Sequence, residues 1–154
     1  MALFEIERVT PLPPAEAWRR LTTWERHSAT VPLTRITVRT PPPSGPGTVF
    51  VARTGVGPIG FDDPMRVVTW EPDRYCRLQK TGRVVTGWAE IEVRPDGSGT
   101  SGQAAPAEAD ASAGSIVRWR EELRVRGVPA ALDPVTVAAG RFIFGRVLDT
   151  LLRV

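Results

Sequence analysis

The sequence predicts an α+β domain in which seven antiparallel strands form a sheet that packs against one long C-terminal helix. Seven segments show the alternating or β-branched composition of strands, and short turn sequences separate most of them. The chain then closes with an amphipathic helical repeat. A length of 154 residues fits a single domain, 1–154, that buries its own core.

The strands follow in regular order along the chain. The first is predicted at Ala2–Thr10, a proline-rich turn at 11–14 ends it, and two short helices are predicted over 15–21 and 24–28. Six further strands are predicted at Thr34–Arg39, Thr48–Thr54, Met65–Glu71, Arg74–Thr81, Val84–Arg94 and Ser115–Arg126. Turn sequences such as PPPSGPG and EPD favour antiparallel pairing of successive strands.

The segment 95–114 has no aromatic and no β-branched apolar residue, so we expect a flexible hairpin loop there. A long helix is predicted after it, with Asp133 as N-cap and Pro134 in the first turn. Its apolar face carries Val137, Gly140, Phe144, Val147 and Leu151. This face requires a partner, and only the sheet can supply one.

The basic residues do not form a nucleic-acid footprint, although the net charge is +3. They are spread along the chain, and the densest group alternates on one predicted strand, at Arg118, Arg120, Arg124 and Arg126. No row of aromatic residues accompanies this group. We therefore expect a solvated sheet face and no nucleic-acid partner.

The single cysteine, Cys76, excludes an internal disulfide, and we expect it to be a small buried apolar residue. Acidic and basic residues stand near the start of the chain where a signal peptide needs an apolar run, which favours a cytoplasmic location. No segment approaches the roughly 18 to 20 apolar residues of a membrane span.

Four stretches carry a resemblance to a known superfamily. They are FEIERVTPLPPAEAWRRLTTWERHSATVP, GFDDPMRVVTWEP, GRVVTGWAEIEV and the terminal helix. Together they resemble the START-like superfamily (the SRPBCC group), which includes Bet v 1-like proteins and polyketide cyclase/dehydrase-related proteins. The resemblance implies a helix-grip fold, in which a curved seven-stranded sheet wraps around the terminal helix. It also implies an apolar cavity that binds lipids, polyketides or other hydrophobic molecules.

The stretch Gly55–Gly60 matches the dinucleotide pattern G-x-G-x-x-G. That pattern requires its last glycine to begin a helix, and Pro64 would break any helix begun at Gly57. We interpret the glycines as a wide turn at the cavity mouth. No cofactor is expected.

Polar candidates for chemistry are sparse. Asp62 and Asp63 could form a metal or acid–base pair, but the Asp–Pro sequence and the absence of a nearby histidine favour a turn, so no metal is expected. His27 is the only histidine. We interpret it as a surface or capping residue. The weaker alternative is that it acts as a catalytic base.

Glu121 is the most informative polar residue, because the strand alternation places it on the apolar face with Trp119 and Leu123. A buried carboxylate needs a partner, and Lys80 occupies the apolar-leaning face of its own strand. The alternative is that a cavity mouth or a bulge lets Glu121 reach water.

These observations predict that the protein binds a hydrophobic or aromatic small molecule, with Glu121 as polar anchor. The predicted ligand-binding residues are Phe50, Met65, Leu78, Lys80, Gly87, Ala89, Trp119, Glu121, Gly140 and Phe144. The small residues Gly87, Ala89 and Gly140 indicate either close helix-to-sheet packing or space for a ligand. Two alternatives stay open: a polyketide cyclase/aromatase-like enzyme with Glu121 or His27 as catalytic candidates, and a protein-interaction module with a collapsed cavity. Homodimer formation also stays open.

Overall fold

A computed structural model describes residues 1–97 and 114–154. Its strands are β1 (Ala2–Thr10), β2 (Thr34–Val38), β3 (Val49–Val56), β4 (Ile59–Glu71), β5 (Tyr75–Thr81), β6 (Val85–Pro95) and β7 (Ser115–Val125). The helices are α1 (Pro14–Thr22), a 3-10 helix (Trp24–Ala29), a short 3-10 turn (Ala130–Leu132) and α2 (Asp133–Leu151). This order confirms the predicted arrangement. The predicted flexible loop lies almost entirely outside the described residues.

All seven strands form one antiparallel sheet in the order β1-β7-β6-β5-β4-β3-β2. Successive strands from β2 to β7 pair as neighbours, and β1 joins the far edge by pairing with β7. Along each strand, buried and exposed residues alternate, so one face of the sheet carries the core. The short helices and α2 cover that face.

The helix α2 packs closely on β1 at a glycine. A Cβ atom at Gly140 would lie 2.5 Å from Cε1 of Phe4, so this position requires the absence of a side chain.

Asp133 is the first residue of the helix and not its N-cap, which is Leu132. The predicted capping role is therefore wrong. The Asp133 carboxylate instead accepts a hydrogen bond from the amino group of Met1, at 2.7 Å.

The hairpin between β3 and β4 corrects the prediction of a wide turn. β3 continues to Val56 and β4 begins at Ile59, so only two residues connect the strands. Gly55 has a φ of 139°, and a Cβ atom there would lie 2.2 Å from the carbonyl oxygen of Ile59. The glycine therefore permits a tight hairpin, and the strand runs on through Pro64.

The outer face of the sheet carries the basic residues, as predicted. Arg120 lies 3.2 Å from Glu5 on β1 and 3.5 Å from Glu90 on β6. Arg118 lies within 3.7 Å of acidic residues on the same two strands. These arginines are partly exposed and already paired with carboxylates, which confirms a solvated, charged sheet face.

Candidate functional site

A cavity of about 200 Å³ lies between the inner face of the sheet, the first 3-10 helix and α2. The residues that line it are Trp24, His27, Val31, Thr34, Ile36, Phe50, Ala52, Thr54, Phe61, Asp63, Met65, Leu78, Lys80, Val85, Ala89, Trp119, Glu121, Leu123, Val125 and Phe144. Most of these are apolar. The cavity therefore offers an apolar interior with a small number of polar groups.

Aromatic rings form two of its walls. Trp24, from the 3-10 helix, stacks on Phe50 of β3 with ring centroids 4.6 Å apart. Trp119 of β7 stacks on Phe144 of α2 with centroids 5.1 Å apart. The two stacks belong to elements that are distant in the sequence, so the walls form only when the helices dock on the sheet.

A cluster of three charged side chains lines the cavity. The ammonium nitrogen Nζ of Lys80 donates to Oδ2 of Asp63 at 2.8 Å and lies 3.2 Å from Oε1 of Glu121. The indole Nε1 of Trp119 donates to Oε2 of Glu121 at 3.0 Å. Lys80 also lies 3.6 Å from the sulfur of Met65. Glu121 thus has a partner for each oxygen, as a buried carboxylate requires.

Regular strand pairing holds Glu121 in this orientation. Both ladders of β7 continue without interruption from Trp119 to Leu123, so no bulge turns the side chain toward water. Glu121 is 1% exposed. The predicted Lys80–Glu121 pair is therefore present, and the alternative of a water-facing Glu121 is wrong.

The charge balance of the cluster is uneven. Burial alone would lower the pKa of Lys80, but the carboxylates of Glu121 and Asp63 more than offset it and raise that pKa above its ordinary value. Lys80 is therefore a cation that faces two acidic groups.

Two buried atoms of the lining residues have no hydrogen-bond partner within the described residues, namely Oδ1 of Asp63 and Nε1 of Trp24.

His27 is buried, which corrects the prediction of a surface or capping residue. Its Nε2 lies 2.8 Å from the carbonyl oxygen of Leu21, and because a carbonyl only accepts, Nε2 carries the proton. Burial lowers the pKa of His27, and the Leu21 carbonyl opposes this only partly. The ring is therefore a neutral imidazole in the cavity wall, 6.1 Å from the ring of Trp119.

No protein-family model matches this chain. No curated protein matches it either. Solved structures do match over nearly the whole chain. The protein XoxI from Bacillus cereus has a TM-score of 0.66 at 16% identity and covers 99% of this chain and 94% of its own. The protein CV1439 from Chromobacterium violaceum has a TM-score of 0.66 at 11% identity, and the match covers 99% of this chain and 96% of CV1439.

A third similar structure, Ara h 8.0201, has a TM-score of 0.58 at 15% identity and covers 97% of both chains. The fold is the Bet v 1-like helix grip. The predicted helix-grip fold is thereby confirmed. Identities this low show a shared fold and not a shared activity. No described helix is long and apolar enough to cross a membrane.

Most of the residues predicted to bind a ligand line the cavity of this helix-grip fold. They are Phe50, Met65, Leu78, Lys80, Ala89, Trp119, Glu121 and Phe144. Gly87 and Gly140 are not in the lining. Gly87 has a φ of 131°, and a Cβ atom there would lie 1.9 Å from the carbonyl oxygen of Glu122. Both glycines therefore serve close packing and leave no space for a ligand.

Asp63 is the functional candidate that sequence reasoning missed, because Asp–Pro was interpreted as a turn. In the helix grip, Asp62 faces outward and pairs with Arg53 at 3.2 Å, whereas Asp63 faces inward. The alternation of strand residues between the two faces of the sheet could have revealed this inward direction. Asp63 and Met65 are spaced as alternate residues of one strand face, and Pro64 does not end the strand.

Cys76 is fully buried, which confirms its predicted role as a small apolar residue. Burial raises the pKa of its thiol to about 12, so it is not a nucleophile at neutral pH. Within 1–97 and 114–154, no group of three His, Cys, Asp or Glu side chains could hold a metal ion.

Proposed function

We propose that this protein binds a small hydrophobic or aromatic molecule in the cavity. The single observation that carries the proposal is an apolar cavity of about 200 Å³, partly open to solvent, between the sheet and the helices. Concave apolar sites with a few polar groups are the usual form of small-molecule binding sites. The four rings in its two aromatic stacks would contact a planar ligand. The helix-grip fold is compatible with this role.

The cavity volume limits the size of the ligand. An engineered apolar cavity of about 150 Å³ in another protein binds benzene, whereas drug-sized ligands occupy roughly 300–1,000 Å³. A cavity of about 200 Å³ therefore fits a molecule of one or two rings. A lipid or a long polyketide is larger than this volume and would extend beyond it.

The apolar lining favours an apolar occupant. The cavity is partly open to solvent, so water contacts its apolar walls when it is empty. A ligand that covers these walls removes apolar surface from water, which is favourable by roughly 25 cal/mol per Å².

Glu121 contributes by organising the walls. Both of its carboxylate oxygens already have partners, Lys80 and the indole of Trp119. Glu121 therefore fixes the orientation of the Trp119 ring against which a ligand packs. This role is more limited than the predicted one, in which Glu121 binds the ligand directly, because neither carboxylate oxygen is free.

Calorimetric titration with indole and with ethylbenzene tests the proposal. We expect saturable binding to the wild type and a loss of at least about tenfold in affinity for Ala52→Leu, whose larger side chain fills the cavity. Ala138→Leu is the matched control, because Ala138 is exposed on α2. Absence of binding, with no retained molecule found by native mass spectrometry, would overturn the proposal.

A cyclase/aromatase-like enzyme is the second candidate, and His27 favours it. A neutral imidazole in the cavity wall could accept a proton at Nδ1, which makes no hydrogen bond to any described residue. Turnover of a cyclisable probe whose pH–rate profile changes in His27→Gln would support this candidate. The open cavity of about 200 Å³ favours ligand binding over the interaction-module alternative, which assumed a collapsed cavity.

A further inference from the structure

We infer that the ligand is a small organic cation, an aromatic or alicyclic amine whose ammonium group pairs with Asp63. This inference rests on the proposed function and narrows its ligand class. Three features of the cavity support it: its charge balance, the unpaired oxygen of Asp63 and the aromatic walls.

The charged groups of the lining leave one negative charge without a counter-charge. Lys80 contributes one positive charge, and Asp63 and Glu121 contribute two negative charges. The remaining lining residues are apolar or neutral polar side chains. An anionic ligand would increase this imbalance next to buried carboxylates, and a cation would remove it.

The oxygen Oδ1 of Asp63 shows where a donor is missing. Asp63 is 8% exposed, and Oδ1 has no partner in the described parts of the chain. Lys80 cannot supply another hydrogen bond, because its ammonium group already contacts Asp63 Oδ2, Glu121 and the sulfur of Met65. No donor of the described residues reaches Oδ1, and an ammonium group in the cavity would bring both a donor and a positive charge to Asp63.

The walls favour a cation for an independent reason. The faces of aromatic rings carry partial negative charge and attract cations at distances within about 6 Å of the ring centre. The rings of the stacked pairs Trp24–Phe50 and Trp119–Phe144 line the cavity. The aromatic body of an amine would pack on them at the same time.

Four probes of equal or nearly equal size separate charge from shape: benzylamine as the cation, benzyl alcohol as the neutral donor, ethylbenzene as the apolar analogue and benzoate as the anion. Calorimetry at neutral pH should rank their affinities in that order. We expect benzylamine to bind at least about tenfold more tightly than ethylbenzene, because a hydrogen bond between charged groups is worth about that factor.

The variant Asp63→Asn keeps the shape and removes the charge. We expect it to lower benzylamine affinity by about tenfold and to leave ethylbenzene affinity nearly unchanged. Asp62→Asn is the matched control, because Asp62 stands beside Asp63 but faces outward toward Arg53. It should change neither affinity.

The outcomes distinguish this inference from the proposed function. Ethylbenzene binding as tightly as benzylamine, or Asp63→Asn with unchanged benzylamine affinity, would overturn the cation inference while the cavity remains a binding site. Binding of none of the four probes, with no retained molecule found by native mass spectrometry, would overturn both. If Asp63→Asn does not fold, the order of the four probe affinities for the wild type tests the cation inference.

Discussion

Lys80 and Glu121 form an ion pair across an intervening strand. Lys80 lies on β5 and Glu121 on β7, with β6 between them, yet Nζ and Oε1 are 3.2 Å apart. The register explains this contact, because β6 places Gly87 opposite Lys80 and Ala89 opposite Glu121. The absence of a large side chain at both positions leaves the two long side chains free to meet above β6.

Replacing Lys80 with methionine should destabilise the fold by about 3–5 kcal/mol, because two buried carboxylates would lose their common cation. The measurement is the free energy of unfolding in urea. Arg53→Met is the control, because it breaks a neighbouring but exposed pair with Asp62. That change should cost at most about 1 kcal/mol. Equal losses in the two variants would contradict a buried charge cluster.

His27 should make stability depend on pH below its ordinary pKa of 6.5. Above that value the ring is neutral in both the folded and the unfolded chain, so it adds no pH dependence. As the pH falls, the unfolded chain takes up a proton that the buried ring resists. The free energy of unfolding therefore decreases until the pH passes the lowered pKa of the folded state.

The comparison with His27→Gln isolates this effect. We expect the wild type to lose stability more steeply than the variant between about pH 7 and pH 5, by at most about 1.4 kcal/mol per pH unit. Glutamine retains an N–H group that can donate to Leu21 and has no titrating ring. Parallel stability profiles for the two proteins would show that His27 is accessible to protons in the folded state.

Two glycines of α2 should respond in opposite ways to alanine. At Gly140 a Cβ atom would clash with the ring of Phe4, at 2.5 Å, so Gly140→Ala should cost about 1–3 kcal/mol. At Gly145 the nearest atom is the flexible end of Arg8, at 3.1 Å. Gly145→Ala should therefore be neutral or stabilising by up to about 1 kcal/mol, because alanine is the better helix former.

A double-mutant cycle checks the stated cause at Gly140. In a Phe4→Leu background the ring is absent, so the cost of Gly140→Ala should fall by at least about 0.5 kcal/mol. Thermal unfolding of the four proteins gives the coupling energy. Strictly additive costs would mean that another contact excludes the methyl group.

Local patterns predicted the elements and some of the cavity residues. The alternation of β7 placed Glu121 inward, and the same alternation on β5 identified Lys80 as its partner. Both predictions succeeded because side chains of a strand alternate between its two faces. The prediction at Asp63 failed, because a local rule for Asp–Pro was applied where the pairing of β3 with β4 continues through the proline.

The sequence by itself determined the order of strands and helices, the solvated arginine face and the inward direction of Glu121, because each depends on periodicity within one segment. Only the tertiary structure decided that His27 is buried, that Gly87 and Gly140 serve close packing, and that Asp63 faces the cavity with one oxygen unpaired. These features depend on the distance between elements far apart in the chain. That distance is set by how α2 and the 3-10 helix dock on the sheet, which periodicity does not encode.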